Sequence, residues 1–206
     1  MPSKISMTIA ISMAAAGSLM LATSPNEPTE PRVPAGHPAV SMPDVQDTPK
    51  EARPEDIKSI DSIVNAYYDS VSGPKGQRRD WNRLLSLFMP DGRFIVSRVV
   101  DGETIPMILT PQEFVDTNRT YFEQGGYFEQ EIHRETDTFG HIAQVFSTYA
   151  SRRALSDPEP YSRGINSIQV MNAGDRWWIT TIMWESEHPD TNPIPEDYLS
   201  DEDSEG

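Results

Sequence analysis

The chain has no cysteine. That excludes a disulfide framework, a thiolate nucleophile, thiolate-held zinc and the lipidated cysteine of a bacterial lipoprotein. Basic residues are also scarce, with 17 Lys and Arg against 32 Asp and Glu and a net charge of −15. Nucleic acid and anionic membrane both repel such a chain, and no basic face offsets the deficit. Neither is an expected partner. Gly-rich phosphate loops and a G-x-S-x-G nucleophile turn are missing as well. Only four histidines occur. His37 lies among prolines and His188 among acids, which leaves His133 and His141 for any chemistry.

Long apolar runs are limited to one, Ile5 to Ala22 behind Lys4. It has the layout of a secretory signal peptide over residues 1–22, with cleavage after Ala22. An uncleaved N-terminal anchor is the alternative, because the run approaches the ~17–25 residues that span a bilayer. Its Ser, Thr, Gly and Ala dilute it and favour the signal. The expected localisation is therefore secreted or periplasmic. Residues 23–53 follow as a Pro-rich disordered linker, with eight prolines between 25 and 54 and too little apolar content to offset ordering. Residues 188–206 read as an acidic disordered tail. The last 22 residues hold nine acids and no Lys or Arg, so the tail dominates the net charge.

The folded domain is placed at residues 54–187. Pro54 followed by Glu55 and Asp56 opens a helix. Ile57, Ile60, Val64, Tyr67 and Val71 give it one buried face, and Ser72-Gly73-Pro74 ends it. Asp80 caps a second, shorter helix with Trp81, Leu84, Leu85 and Phe88 as its apolar side, ended by a turn at Pro90-Asp91-Gly92. Arg93–Val100 and Glu103–Leu109 form a hairpin about Asp101-Gly102, and Pro106 assigns the return strand to an edge. Thr110-Pro111-Gln112-Glu113 is a capping box for a third helix that runs to Gly125-Gly126. Two further hairpins follow, Tyr127–Phe139 with Ile142–Arg153, and Arg163–Met171 with Arg176–Ser186. The order α-α-β-β-α-β-β-β-β segregates helices from strands, so the fold class is α+β with a mostly antiparallel sheet.

Two stretches carry a resemblance. Asp80-Trp81-Asn82-Arg83-Leu84-Leu85-Ser86-Leu87-Phe88-Met89-Pro90-Asp91-Gly92-Arg93-Phe94 resembles the second helix and first strand of the nuclear transport factor 2-like superfamily, SnoaL-like branch. Gly174-Asp175-Arg176-Trp177-Trp178-Ile179 resembles that superfamily's last-strand signature. The resemblance covers residues 54–187. It implies a cone-shaped curved sheet of about six strands wrapped around three helices, with a pocket at the open end. It also implies a homodimer through the outer sheet face. Members include isomerases, dehydratases, cyclases, ligand binders and adaptors, so function rests on the pocket.

Candidate site residues follow from parity along the strands. In the segment EIHRETDTFGH, Glu131, His133, Glu135 and Asp137 share a face. His133 between carboxylates suits a tuned base or a ligand contact, with Glu131 beside it. No second well-placed imidazole completes a metal site, so no metal and no cofactor is expected. Tyr149 is a candidate hydrogen-bond donor to a carbonyl. Asn166 shares a face with Ile168 and Val170 and needs a partner if buried. Trp178 and Trp184, of one parity with Ile182, form a candidate aromatic wall, and Tyr67 on the buried face of the first helix joins the candidates. The expected ligand-binding set is Tyr67, Glu131, His133, Tyr149, Asn166, Trp178 and Trp184. Two functions remain open. One is a binder of a small, partly apolar ligand, or a dimeric interaction module. The other is a pocket enzyme of isomerase, dehydratase or cyclase type, with His133 as general base and Tyr149 polarising a carbonyl.

Overall fold

A computed structural model describes residues 51–100 and 103–199, at 98–100 by backbone alone. The expected signal segment, the linker up to residue 50, the Asp101-Gly102 turn and the tail beyond 199 lie outside the described residues. No described helix is long and apolar enough to cross a membrane.

The expected first helix is two helices, α1 (Pro54–Ile57) and α2 (Ile60–Val71). Ser59 breaks it. Its backbone is extended and its hydroxyl accepts the Ser62 N–H at 3.1 Å, so it caps α2 instead of continuing α1. Asp56 then turns inward and takes two 2.8 Å bonds from the Arg83 guanidinium. That bidentate pair ties α1 to α3 (Trp81–Leu87), which Asp80 caps through the Arg83 N–H at 3.1 Å. α4 (Pro111–Gly125) starts with the expected reciprocal capping box between Thr110 and Glu113.

Six strands form one open sheet in the order β2-β1-β6-β5-β4-β3. They are β1 (Phe88–Val100), β2 (Glu103–Leu109), β3 (Phe128–Phe139), β4 (Ile142–Arg152), β5 (Ser162–Ala173) and β6 (Arg176–Ser186). The β1–β6 pairing is parallel and the other four are antiparallel. Pro106 sits in β2, which is an edge strand of the sheet as its missing N–H led one to expect. Pro90-Asp91-Gly92 lies inside β1 rather than ending the helix, because Phe88 already pairs with Ile179 before an irregular stretch reaches Arg93. The α+β class and the mixed sheet thus agree with the element order read from the chain.

One sheet face carries the core. Ile63, Val64, Tyr67, Tyr68 and Val71 of α2 pack on Val145, Ile168, Val170, Ile179 and Ile182, with Phe94 and Phe114 stacked at 4.0 Å beside them. The opposite face holds the chain's own C-terminal segment. Tyr198 packs on Phe146 at 5.2 Å, and the Thr148 hydroxyl donates to the Tyr198 carbonyl at 2.7 Å. Ile194 is buried there. The tail expected to be disordered from 188 is therefore laid across the outer face over 188–199.

Two strands carry a bulge. β3 pairs Glu131 with Tyr149 but His133 with Thr148, leaving Ile132 as an extra residue. β6 pairs Ile179 with Val170 but Thr181 with Gln169, leaving Thr180 extra. A bulge exchanges the two faces for every residue beyond it and bends the strand.

Candidate functional site

The inner face encloses a cavity of about 210 Å³ against α2 and α4. Its wall is aromatic over Tyr67, Phe114, Phe122, Tyr127, Tyr149 and Trp184, with Glu129, Ser151, Asn166 and Ser186 as polar groups. Tyr121 and Tyr161 are the exposed lining residues and mark the mouth.

Glu129 is the one acid in this wall. It is 7% exposed. Its backbone exchanges bonds with the Ser72 hydroxyl, which fixes the strand against the end of α2. The Tyr127 hydroxyl donates to Oε2, and the Asn166 Nδ2 donates to Oε1 at 3.0 Å. Burial pushes the Glu129 carboxyl above the usual carboxylate range, and the two donors pull against it. Tyr67 and Tyr127 are themselves raised, by burial first and by Glu129 second. Burial also pushes Tyr149 up to about 12. The cavity tyrosines therefore stay protonated hydrogen-bond donors across ordinary pH.

A polar chain runs from Glu129 through the core. The second Asn166 N–H meets Tyr68 Oη at 3.1 Å, and Tyr68 lies 2.6 Å from Ser147 Oγ. Ser147 donates to Glu131, so the Tyr68 hydroxyl must donate to Ser147. Glu131 in turn binds Arg134, whose Nε lies 2.8 Å away, and Arg134 Nη1 reaches Asp61 at 2.6 Å. Every donor along this path has an acceptor, which is the condition for burying such a chain without a large penalty.

Tyr149 reaches across β5. Gly164 lies between Tyr149 and Ser186 in register, and a Cβ there would fall 2.5 Å from the Tyr149 hydroxyl. Only glycine lets the ring cross to place Oη 3.2 Å from Ser186 Oγ.

The structure sorts the expected residues. Tyr67, Tyr149, Asn166 and Trp184 line the cavity together. Glu131 is on the inner face, but its carboxylate is occupied by Arg134 and Ser147 and does not form the wall. His133 is on the outer face, beside Tyr198 at 6.3 Å and 3.3 Å from Glu135. The Ile132 bulge separates it from Glu131, so His133 cannot act as a base in this cavity. Trp178 is displaced in the same way by Thr180. It lies under the Arg176 guanidinium at 3.5 Å, while Trp177 packs on the core instead. Glu129 and Tyr127 were missed. Their signal was the buried amide of Asn166, which required a partner on a neighbouring strand. No group of three or more His, Cys, Asp or Glu among the described residues is arranged to hold a metal.

No protein-family model and no curated protein matches the chain. Solved structures do. A protein with a cystatin-like fold from Caulobacter vibrioides is 15% identical, with 64% of this chain and 89% of that one covered and a TM-score of 0.49. An NTF2-like protein from Shewanella baltica OS155 is 12% identical, with 63% and 91% covered and a TM-score of 0.47. LinA is 10% identical, with 68% and 90% covered and a TM-score of 0.47. At these identities the likeness is one of architecture and carries no activity. The chain is an α+β domain similar to NTF2-like folds.

Proposed function

We propose that the inner cavity binds a small, largely apolar ligand that presents one polar group to Glu129. The observation that supports this reading is the buried Glu129 carboxyl, oriented by Tyr127 and Asn166 within a wall of aromatic rings. A cavity of about 210 Å³ is smaller than the ~300–1,000 Å³ that hold drug-sized molecules, which limits the ligand to about one ring. Isothermal titration with single-ring phenols and carboxamides tests it. Saturable binding that Glu129→Ala abolishes is the expected result. Binding that ignores Glu129 and Trp184 substitutions would overturn the reading.

A second reading has a specific observation in its favour. The raised pKa of Glu129, beside the Tyr149 donor, suits general acid–base work on a carbonyl compound. In this form the pocket-enzyme alternative passes from His133 to Glu129. Turnover of a bound carbonyl compound that Glu129→Gln removes without loss of binding would separate it from plain binding.

A homodimer through the outer face is proposed over β1, β2 and β6, where Ile108 and Met183 are exposed. Tyr198 and Ile194 already cover part of that sheet face. A monomer by native mass spectrometry at micromolar concentration would count against it.

A further inference from the structure

Arg153 follows the last residue of β4 and, without itself forming the cavity wall, stands against the two tyrosines of its mouth. Its guanidinium lies 4.6 Å from the Tyr121 ring centroid and 4.4 Å from that of Tyr161. Those are the two exposed residues of the cavity wall. The group is held by a bond to the Tyr121 hydroxyl and a 3.3 Å bond to the Gly126 carbonyl. Both acceptors are uncharged. Among the described residues no carboxylate lies within ion-pair distance of it. Other described cations also lack an ion pair, Arg176 among them, but Arg153 alone stands between the two rings of the cavity mouth.

Stacked rings orient a guanidinium without neutralising it, and two bonds leave other N–H groups of its fork for an acceptor. A net charge of −15 repels anions at a distance, so selection for one has to be made locally. The loop after β4 is also fixed for the purpose. The Asp157 carboxylate accepts the backbone N–H groups of Arg153 and Ala154 at 3.1 and 2.9 Å.

We propose that Arg153, clamped between Tyr121 and Tyr161, makes the cavity selective for single-ring carboxylic acids. The carboxylate meets the guanidinium at the mouth, the ring lies among Tyr67, Phe114, Phe122 and Trp184, and a polar substituent at its far end faces Glu129. This rests on the reading of the cavity as a ligand site and adds the ligand's charge.

The test uses matched probes that keep a phenol for Glu129, 4-hydroxyphenylacetate and 4-hydroxyphenylacetamide, titrated into the full chain at pH 7. Wild type is expected to bind the acid about tenfold more tightly than the amide, the size of one charge-assisted contact. Arg153→Met should bring the acid-to-amide ratio to about one, and Arg153→Lys should retain part of the preference. A ratio that survives Arg153→Met overturns the proposal. So does equal binding of acid and amide by wild type, which leaves the cavity reading intact. Binding of neither probe removes the cavity reading and this proposal with it. Should Arg153→Met not fold, the Arg153 Nε–H resonance of wild type decides. A shift with acid but not amide supports the proposal, and no shift with either overturns it.

Discussion

Glu129 and His133 stand four residues apart on β3 and meet opposite environments. Glu129 faces the cavity, with two side-chain donors and almost no solvent. His133 faces outward, with a single 3.3 Å contact to an exposed glutamate and the edge of Tyr198. An even spacing would put them on one face, and Ile132 is the residue that prevents it. β6 repeats the lesson with Trp184 on the inner wall, Trp178 outside and Thr180 between them. Chemistry on these strands belongs to one side of a bulge.

The largest expected effect tests the β6 pair. Trp184→Ala removes a ring packed edge-on against Phe94 and Phe114 at 6.2 and 6.1 Å. It should cost about 3 kcal/mol in urea unfolding. Trp178→Ala should cost about 1 kcal/mol, since it loses mainly a partly exposed cation–π contact. Equal losses would break the comparison.

The polar chain comes next. Asn166→Ala leaves Glu129 Oε1 and Tyr68 Oη without their shared donor and should cost about 2 kcal/mol. Tyr68→Phe, which leaves Ser147 with its bond to Glu131, should cost about 1 kcal/mol by the same measurement. If neither change moves the unfolding midpoint, the chain does not stabilise the core.

The pH dependence sharpens the role of Glu129. Its folded pKa lies above the unfolded value because of burial. Between those two values the folded state binds more protons than the unfolded chain. This contribution to stability is therefore fully present below the unfolded pKa and is lost as pH rises through the folded one. Glu129→Gln keeps an acceptor for Asn166 and offers an N–H to Tyr127. It should remove up to about 1.4 kcal/mol per pH unit of that slope in unfolding followed from pH 4 to 8. An unchanged slope would mean that Glu129 is not the group responsible.

The smallest effect belongs to His133. His133→Ala should change stability by less than about 0.5 kcal/mol and leave cavity binding untouched. A loss of binding equal to that of Glu129→Ala would return His133 to the site.

Much of this was legible locally. Thr110 with Glu113, and Asp80 ahead of Trp81, announced helix starts because capping depends on residues three apart. Tyr149 and Asn166 share the inner face because β4 and β5 pair without an extra residue, so alternation holds along them. Pro106 located an edge because it lacks a ladder donor. The break at Ser59 was not legible, since the apolar spacing from Ile57 to Val71 runs through it. It follows from Asp56 turning to meet Arg83, 27 residues away.

The sequence by itself determined the α+β class, the succession of strands and the alternation along each uninterrupted strand, since each depends on periodicity within a few residues. Tertiary structure alone decided where β3 and β6 are bulged, and with that which acid is buried and which histidine is outside. A bulge adds one residue against a partner strand, and nothing in the residue itself marks it. Its position is set by what the sheet must pack against, here α2 and the Tyr68–Asn166–Glu129 chain on the inner face.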